Sequence, residues 1–233
     1  MEQVAKASSG ASNAPKQVPK NEGYWARRKD SVYLAAAKQI CAAFCPEPAS
    51  VIDVGSNKTP TLEWHRGPET RLVSVDLKRP YEATGVESIV ADFFSFQADT
   101  RFDLVTCFQV LEHVPDATAF AQKLLSLGDL VVVSVPYRWP KGQCEHHVHD
   151  PVDEAKMRSW FGRAPAYSYI AREPISPQSR LIQVYAPRGT PMPPRIRAPR
   201  KGKKTGKAGD GARRRSRRPF MVRLKNWLRN KLT

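Results

Sequence analysis

Val51-Ile-Asp-Val-Gly-Ser-Asn-Lys58 is a short apolar run that meets an acid, one glycine and a polar turn. β-Branched residues ending at a glycine read as a buried strand that stops at a tight loop. A second run of the same kind, Arg71-Leu-Val-Ser-Val-Asp76, follows and also ends in an acid. Strand, glycine loop and second strand ending in an acid is the way a chain builds a nucleotide pocket at the carboxyl ends of parallel strands.

Outward from that core, alternation continues in both directions. Residues 22–44 place Trp25, Tyr33, Leu34, Ala37, Ile40, Cys41 and Phe44 near helical spacing, and Pro46 and Pro48 stop the run. Residues 88–92 read as a third strand, followed by Phe93, Phe94 and Phe96. Phe102 to Phe108 is a nearly apolar fourth strand, and Gln109 to Val114 a turn into helix. Pro115 and Asp116 start a helix through Leu127, closed by Gly128. Residues 130–136 form the fifth strand. A helix over 151–161 has Asp150 as its N-cap, and residues 166–172 and 180–186 form an antiparallel pair. Strands alternating with helices, the strands near-continuously apolar, predict an α/β fold: a mostly parallel sheet covered on both faces and closed by an antiparallel hairpin.

Charge divides the 233 residues unevenly. Residues 188–233 carry 17 of the 38 Lys and Arg but one of the 22 acids, which leaves 21 of each before them. The net charge of +16 therefore belongs to an appendage, not to the fold. The expected organisation is a disordered N-terminus (1–20), one folded domain (21–186), a basic disordered linker (187–212) and a basic amphipathic tail helix (213–233). In the tail, Phe220, Met221, Leu224, Trp227, Leu228 and Leu232 recur at helical spacing between basic residues. Such a stripe suits an anionic membrane surface, and nucleic acid is the competing partner. Cys41, Cys45, Cys107 and Cys144 lack disulfide or zinc spacing and read as reduced thiols. With neither an apolar leader nor a membrane span in the sequence, a cytoplasmic protein is expected, peripheral on the inner membrane face through its tail.

These parts, in this order, resemble a class I S-adenosylmethionine-dependent methyltransferase of the broad small-molecule group, over residues 51–186. The resemblance implies a Rossmann-like three-layer sandwich with S-adenosyl-L-methionine as cofactor. Asp53, Gly55, Ser56 and Asn57 match the loop around the cofactor's methionine end. Asp76, with Leu77 beside it, matches the acid that bonds the ribose hydroxyls. Asp92 and Phe93 match the adenine-contacting position, and Phe108 and Gln109 end the fourth strand. Glycine-rich versions of the loop carry two or three glycines, whereas here Ser56, Asn57 and Lys58 follow Gly55.

Amino-methylating relatives that act on nucleobases or glutamine carry Asn/Asp-Pro-Pro-aromatic after the fourth strand. Here that stretch is Cys107-Phe-Gln-Val110, so O-methylation is expected. An alcohol must lose its proton as the methyl arrives, which needs a base, and His supplies one at neutral pH. His113, His146 and His149 are the catalytic candidates, with His147 in the same cluster. Some sugar-hydroxyl and quinol methyltransferases hold a metal through Glu-x-x-Glu-His at this turn. Gln109 replaces the first acid, so no metal is expected and Glu112 is read as satisfying backbone donors. Tyr24, Trp25, Arg28 and residues 137–142 are expected to receive a small-molecule, saccharide or lipid-linked glycan acceptor. The alternatives are an RNA methyltransferase using the tail as an arm, and a cofactor-binding scaffold without catalysis.

Overall fold

The computed structural model of the chain describes residues 29–174, 178–187 and 189–190. The chain divides into two compact units, Met1–Arg197 and Ala198–Thr233, and the described residues all lie in the first. The readings of residues 1–20, of Tyr24, Trp25 and Arg28, of the linker beyond residue 190 and of the tail helix fall outside the described residues.

Seven strands form one sheet: β1 (Ser50–Val54), β2 (Arg71–Asp76), β3 (Val86–Val90), β4 (Phe102–Phe108), β5 (Gly128–Tyr137), β6 (Tyr167–Arg172) and β7 (Ser179–Tyr185). Their order is β3-β2-β1-β4-β5-β7-β6. β1 to β5 pair in parallel, and β7 runs antiparallel to both β5 and β6. Helices α1 (Val32–Phe44), α2 (Ala117–Leu127) and α3 (Glu154–Phe161) flank the sheet, with 3-10 turns at Thr61–His65 and Leu111–His113. The expected three-layer, Rossmann-like architecture is the one observed.

Side chains alternate across each strand, so β1 feeds two cores at once. Ile52 and Val54 pack with the buried face of α2 and α3. Val51 packs on the other side with Tyr33, Leu34, Ala37, Ile40 and Cys41 of α1 and with Leu62. Burial on both faces is why the central strands are apolar almost without interruption. The strand order reverses between β1 and β4, and a crevice outside the carboxyl ends of the strands is expected at such a switch point.

Several local readings are corrected. α1 begins at Val32: Ser31 caps it, and the Glu173 carboxylate accepts the N–H groups of Val32 and Tyr33, both at 3.0 Å. β3 lies two residues earlier than expected, which leaves Asp92 beyond its end. Gly128 closes α2 as expected, but in extended backbone and not in the left-handed region, and it is also the first residue of β5; a Cβ there would lie 2.4 Å from Val105 Cγ2 and 3.0 Å from the Phe102 carbonyl oxygen. α3 starts at Glu154 and is capped by Asp153, which accepts the Lys156 N–H. Asp150 is not that cap; its carboxylate accepts from His147 Nδ1 at 2.8 Å. The four cysteines are free, with Cys41 and Cys107 buried. Among the described residues, no helix is long and apolar enough to cross a membrane.

Candidate active site

The loop after β1 separates two cavities at the switch point. Gly55 has a φ of +77°, and a Cβ there would lie 2.4 Å from Val110 Cγ2. Only glycine meets both demands. Asn57 and Lys58 continue in the left-handed region with φ of 44° and 62°. Asn visits that region more readily than most residues, which helps the turn close without further glycines. Ser56 anchors it from below: the Ser56 and Ser74 hydroxyls are 2.9 Å apart, and both accept the Tyr81 N–H.

Asp53 is buried beneath this loop, at 2% exposure. Thr61 and Thr106 each donate a hydroxyl to its carboxylate. Burial still dominates and pushes the Asp53 carboxyl up to about 6. Asp76, at the end of β2, is bound differently. Its oxygens accept the N–H groups of Asn57, Lys78 and Arg79 at 2.8–2.9 Å. A carboxylate offers about four lone-pair sites, so these three amides leave capacity for a hydroxyl of a ligand.

The larger cavity is a cleft of about 520 Å³, within the range of small-molecule sites. Asp76, Asp92 and His113 line it together with Leu77, Phe93 and Phe94. Leu77 is 62% exposed and Phe94 43%, whereas Phe93 is buried against Phe120 with ring centroids 4.5 Å apart. The cleft thus has apolar walls above an acid, the environment an adenine and its ribose require. The smaller cavity, about 70 Å³, lies under Tyr33 and Leu34 of α1 and reaches Asp53, Ser56 and Phe108. Gly55, Asn57 and Gln109 border both. Gln109 itself has a φ of 58°; its N–H donates to the Ser134 carbonyl and its side-chain amide to the Ser134 hydroxyl.

The histidines sort into distinct roles. His113 lines the cleft, and its Nδ1 is 2.9 Å from the His146 carbonyl oxygen. A carbonyl only accepts, so Nδ1 carries the hydrogen and Nε2 holds a lone pair. Desolvation lowers the pKa of His113 below its ordinary value. His146 and His149 border neither cavity. The His146 side chain is 75% exposed and lies beside Glu145. His149 Nε2 donates to the Val114 carbonyl, and its ring packs on Trp160. His147 is enclosed, its ring between His113 and Trp139, and Trp139 in turn stacks beneath Arg180. Trp139 is therefore part of the packing and not a free aromatic platform on the 137–142 loop.

A family model described as a methyltransferase domain matches residues 24–183. The chain belongs to this methyltransferase family. No curated protein matches the sequence. Among solved structures, the chain is similar to the Burkholderia thailandensis 1,6-didemethyltoxoflavin-N1-methyltransferase with bound 1,6-didemethyltoxoflavin and S-adenosylhomocysteine, at 17% identity and a TM-score of 0.57, over 70% of this chain and 81% of that one. It is also similar to a Haloferax volcanii methyltransferase in complex with the Trm112 methyltransferase activator, at 16% identity and a TM-score of 0.54, over 71% and 95%. A third is the N-methyltransferase NodS from Bradyrhizobium japonicum with S-adenosylhomocysteine, at 13% identity and 0.52, over 68% and 89%. Likeness at this level establishes the common fold.

The methyltransferase uses S-adenosylmethionine as its cofactor. All of the cofactor candidates named from the sequence border one cavity or the other: Asp53, Ser56 and Phe108 the small one, Asp76, Leu77, Asp92 and Phe93 the large one, and Gly55, Asn57 and Gln109 both. Sequence reasoning missed Phe94, Val110, Pro115 and Phe120 in the cleft and Tyr33, Leu34 and Thr61 around the small cavity. It also passed over the His147–Asp150 pair. The i, i+3 spacing of a His and an Asp in one short loop was the available signal.

Proposed function

We propose that this methyltransferase transfers its methyl group to a hydroxyl oxygen of a small polar molecule, with a saccharide or lipid-linked glycan as the acceptor class. The observation that carries the reading is His113: its tautomer is fixed by the His146 carbonyl, and its Nε2 lone pair stands at the edge of the cofactor cleft. The segment after β4, Phe108 to Leu111, supplies no Asn/Asp-Pro-Pro amine clamp. The residues lining the cleft would hold S-adenosylmethionine, which would supply the methyl group, and His113 Nε2 would accept the hydroxyl proton as the acceptor oxygen takes that methyl. Holding the two reactants in line supplies most of the rate.

Two variants test this reading. Asp76→Ala is expected to weaken S-adenosylhomocysteine binding at least about 100-fold, since a buried ribose hydroxyl loses a charged acceptor; calorimetry reads it directly. His113→Asn is expected to leave that affinity within a few-fold and to lower methyl transfer by about 10²–10⁴, the usual worth of a positioned proton acceptor. Label from radioactive cofactor appearing on acceptor nitrogen, or undiminished transfer by His113→Asn, would overturn the hydroxyl reading. We further propose that residues 213–233 hold the enzyme at an anionic membrane surface on the cytoplasmic side. The support is their sequence, basic residues between apolar ones at helical spacing.

A further inference from the structure

The segment 146–149 is stitched to the 3-10 turn at Leu111–His113 by three hydrogen bonds. His113 Nδ1 donates to the His146 carbonyl, the Val148 N–H donates to the Glu112 carbonyl, and His149 Nε2 donates to the Val114 carbonyl. These bonds fix His147 against Glu112 and His113, so that one ligand atom from each of the three lies within 4.8 Å of the others. The fixing extends to the rings. His147 Nδ1 donates to Asp150, which leaves its Nε2 as a lone pair; the two side chains are 5% and 1% exposed. His113 Nε2 also carries a lone pair and lies 3.9 Å from Glu112 Oε1, on a carboxylate that is 1% exposed.

We infer that Glu112, His113 and His147 form a binding site for a divalent transition-metal ion, zinc before magnesium or calcium. Three facts of the arrangement support a cation. Two imidazoles and a carboxylate bring one ligand atom each within 4.8 Å of one another, the donor set of open three-ligand zinc sites. Each ring gives its other N–H to an oxygen acceptor, His113 to a carbonyl and His147 to Asp150, the outer contacts that orient metal-binding histidines. Two buried carboxylates, Glu112 and Asp150, flank the pair, and Asp150 Oδ1 has no hydrogen-bond partner; buried negative charge favours a cation beside it. The separations, 3.9 Å between Glu112 and His113 and up to 4.8 Å within the set, are wider by about 0.5–1.5 Å than tetrahedral ligands sit, so a bound ion must draw the three groups together. Gln109 takes no part, since its amide is turned to Ser134.

His113 lines the cleft, so an open position on the ion faces the place where an acceptor would lie. For what the ion does, the inference rests on the hydroxyl reading above. With the ion bound, the His113 Nε2 lone pair is given to it, so His113 acts as a ligand in place of the proton acceptor, and a hydroxyl touching the cation becomes more acidic and loses its proton to water. Its oxygen then forms the O–CH₃ bond as the C–S pair returns to sulfur. The products are a methyl ether, S-adenosylhomocysteine and a proton, and the metal changes no oxidation state.

Metal binding is testable without any acceptor. Full-length protein, stripped with a chelator, is titrated with zinc against a chromophoric competitor and with cobalt(II) by visible absorption. One equivalent is expected to bind, with cobalt bands that lack a thiolate charge-transfer component, and Cys144→Ser is expected to bind as the parent does. Glu112→Gln and His147→Gln should each weaken binding at least about 100-fold, as loss of a ligand exceeds the 10–100-fold cost of losing an outer contact, while the exposed His146→Gln changes nothing. Circular dichroism and S-adenosylhomocysteine titration confirm that the variants are folded; should Glu112→Gln not fold, His147→Gln decides. Absence of a stoichiometric site, a thiolate spectrum, or unchanged affinity in both variants sinks the metal site. None of those outcomes touches the cofactor cleft or the His113→Asn test, so failure here is separable from failure of the hydroxyl reading.

Discussion

At the scale of single residues, Asp53 sets a pH dependence of its own. Its carboxyl is raised from 3.8 to about 6 by burial, so between those values the folded chain binds more protons than the unfolded one. Its contribution to stability is therefore greatest below the lower value, falls as pH rises through the window and is constant above it. Asp53→Asn removes that slope. Relative to its own value at pH 4, the variant is expected to gain about 2 kcal/mol over wild type by pH 7; urea unfolding at several pH values measures the difference. Gly55→Ala meets a positive φ and the Val110 methyl together, and is expected to cost more than about 1 kcal/mol and to weaken S-adenosylhomocysteine binding. Adding Val110→Ala should relieve the clash and not the φ, so recovery must be partial; full recovery would show that the backbone angle is immaterial. Asp53 and Asp76 were legible as cavity-lining acids because each sits at or next to the end of its own strand. Phe94 was not legible. Phe93 and Phe94 are adjacent and chemically alike and both touch Phe120, and only the turn closed by the Asp92 carboxylate decides which one is buried and which remains 43% exposed.

Elements were read well where period decided them and poorly where a distant partner did. β4 carries its own apolar run and was placed to the residue. The start of α1 depends on Glu173, which is 141 residues away from the first amide it caps, and no local pattern reports that. Glu173→Ala is expected to fray the first turn of α1 and to destabilise the chain by about 1 kcal/mol, in the range of a lost cap. Faster amide exchange confined to residues 34–37 would locate the effect, and uniform exchange would argue against a capping role. Gly128 was read rightly as the end of α2, but for an incomplete reason. A glycine after a helical run usually marks the helix end, and here β4 and β5 also approach too closely for a Cβ. Gly128→Ala is accordingly expected to disturb the β4–β5 pairing, read as a lowered midpoint in thermal unfolding, and not the stability of α2 alone.

For the whole molecule, the charge asymmetry and the fold are separate properties. The sheet, both cores and the large cleft lie within residues 29–190, and the basic excess begins where they end. A chain ending at Thr190 is expected to bind S-adenosylhomocysteine as the full chain does and to lose flotation with anionic liposomes. Equal flotation by both removes the membrane reading; retention on RNA that falls steeply with salt, only in the full chain, favours the nucleic-acid arm instead. Overall topology was legible because strand–helix alternation admits few parallel arrangements, whereas what the appendage touches depends on a partner the chain does not contain. The Glu173 contact has one more consequence. The carboxylate that caps α1 follows β6, so the closing hairpin grips the helix whose Tyr33 and Leu34 roof the small cavity. A looser grip is expected to leave that roof less firmly placed over Asp53, Ser56 and Phe108. Changes in the hairpin are therefore expected to alter the dissociation rate of S-adenosylhomocysteine, which stopped-flow measurement reads; an unchanged rate would show that the grip does not reach the ligand.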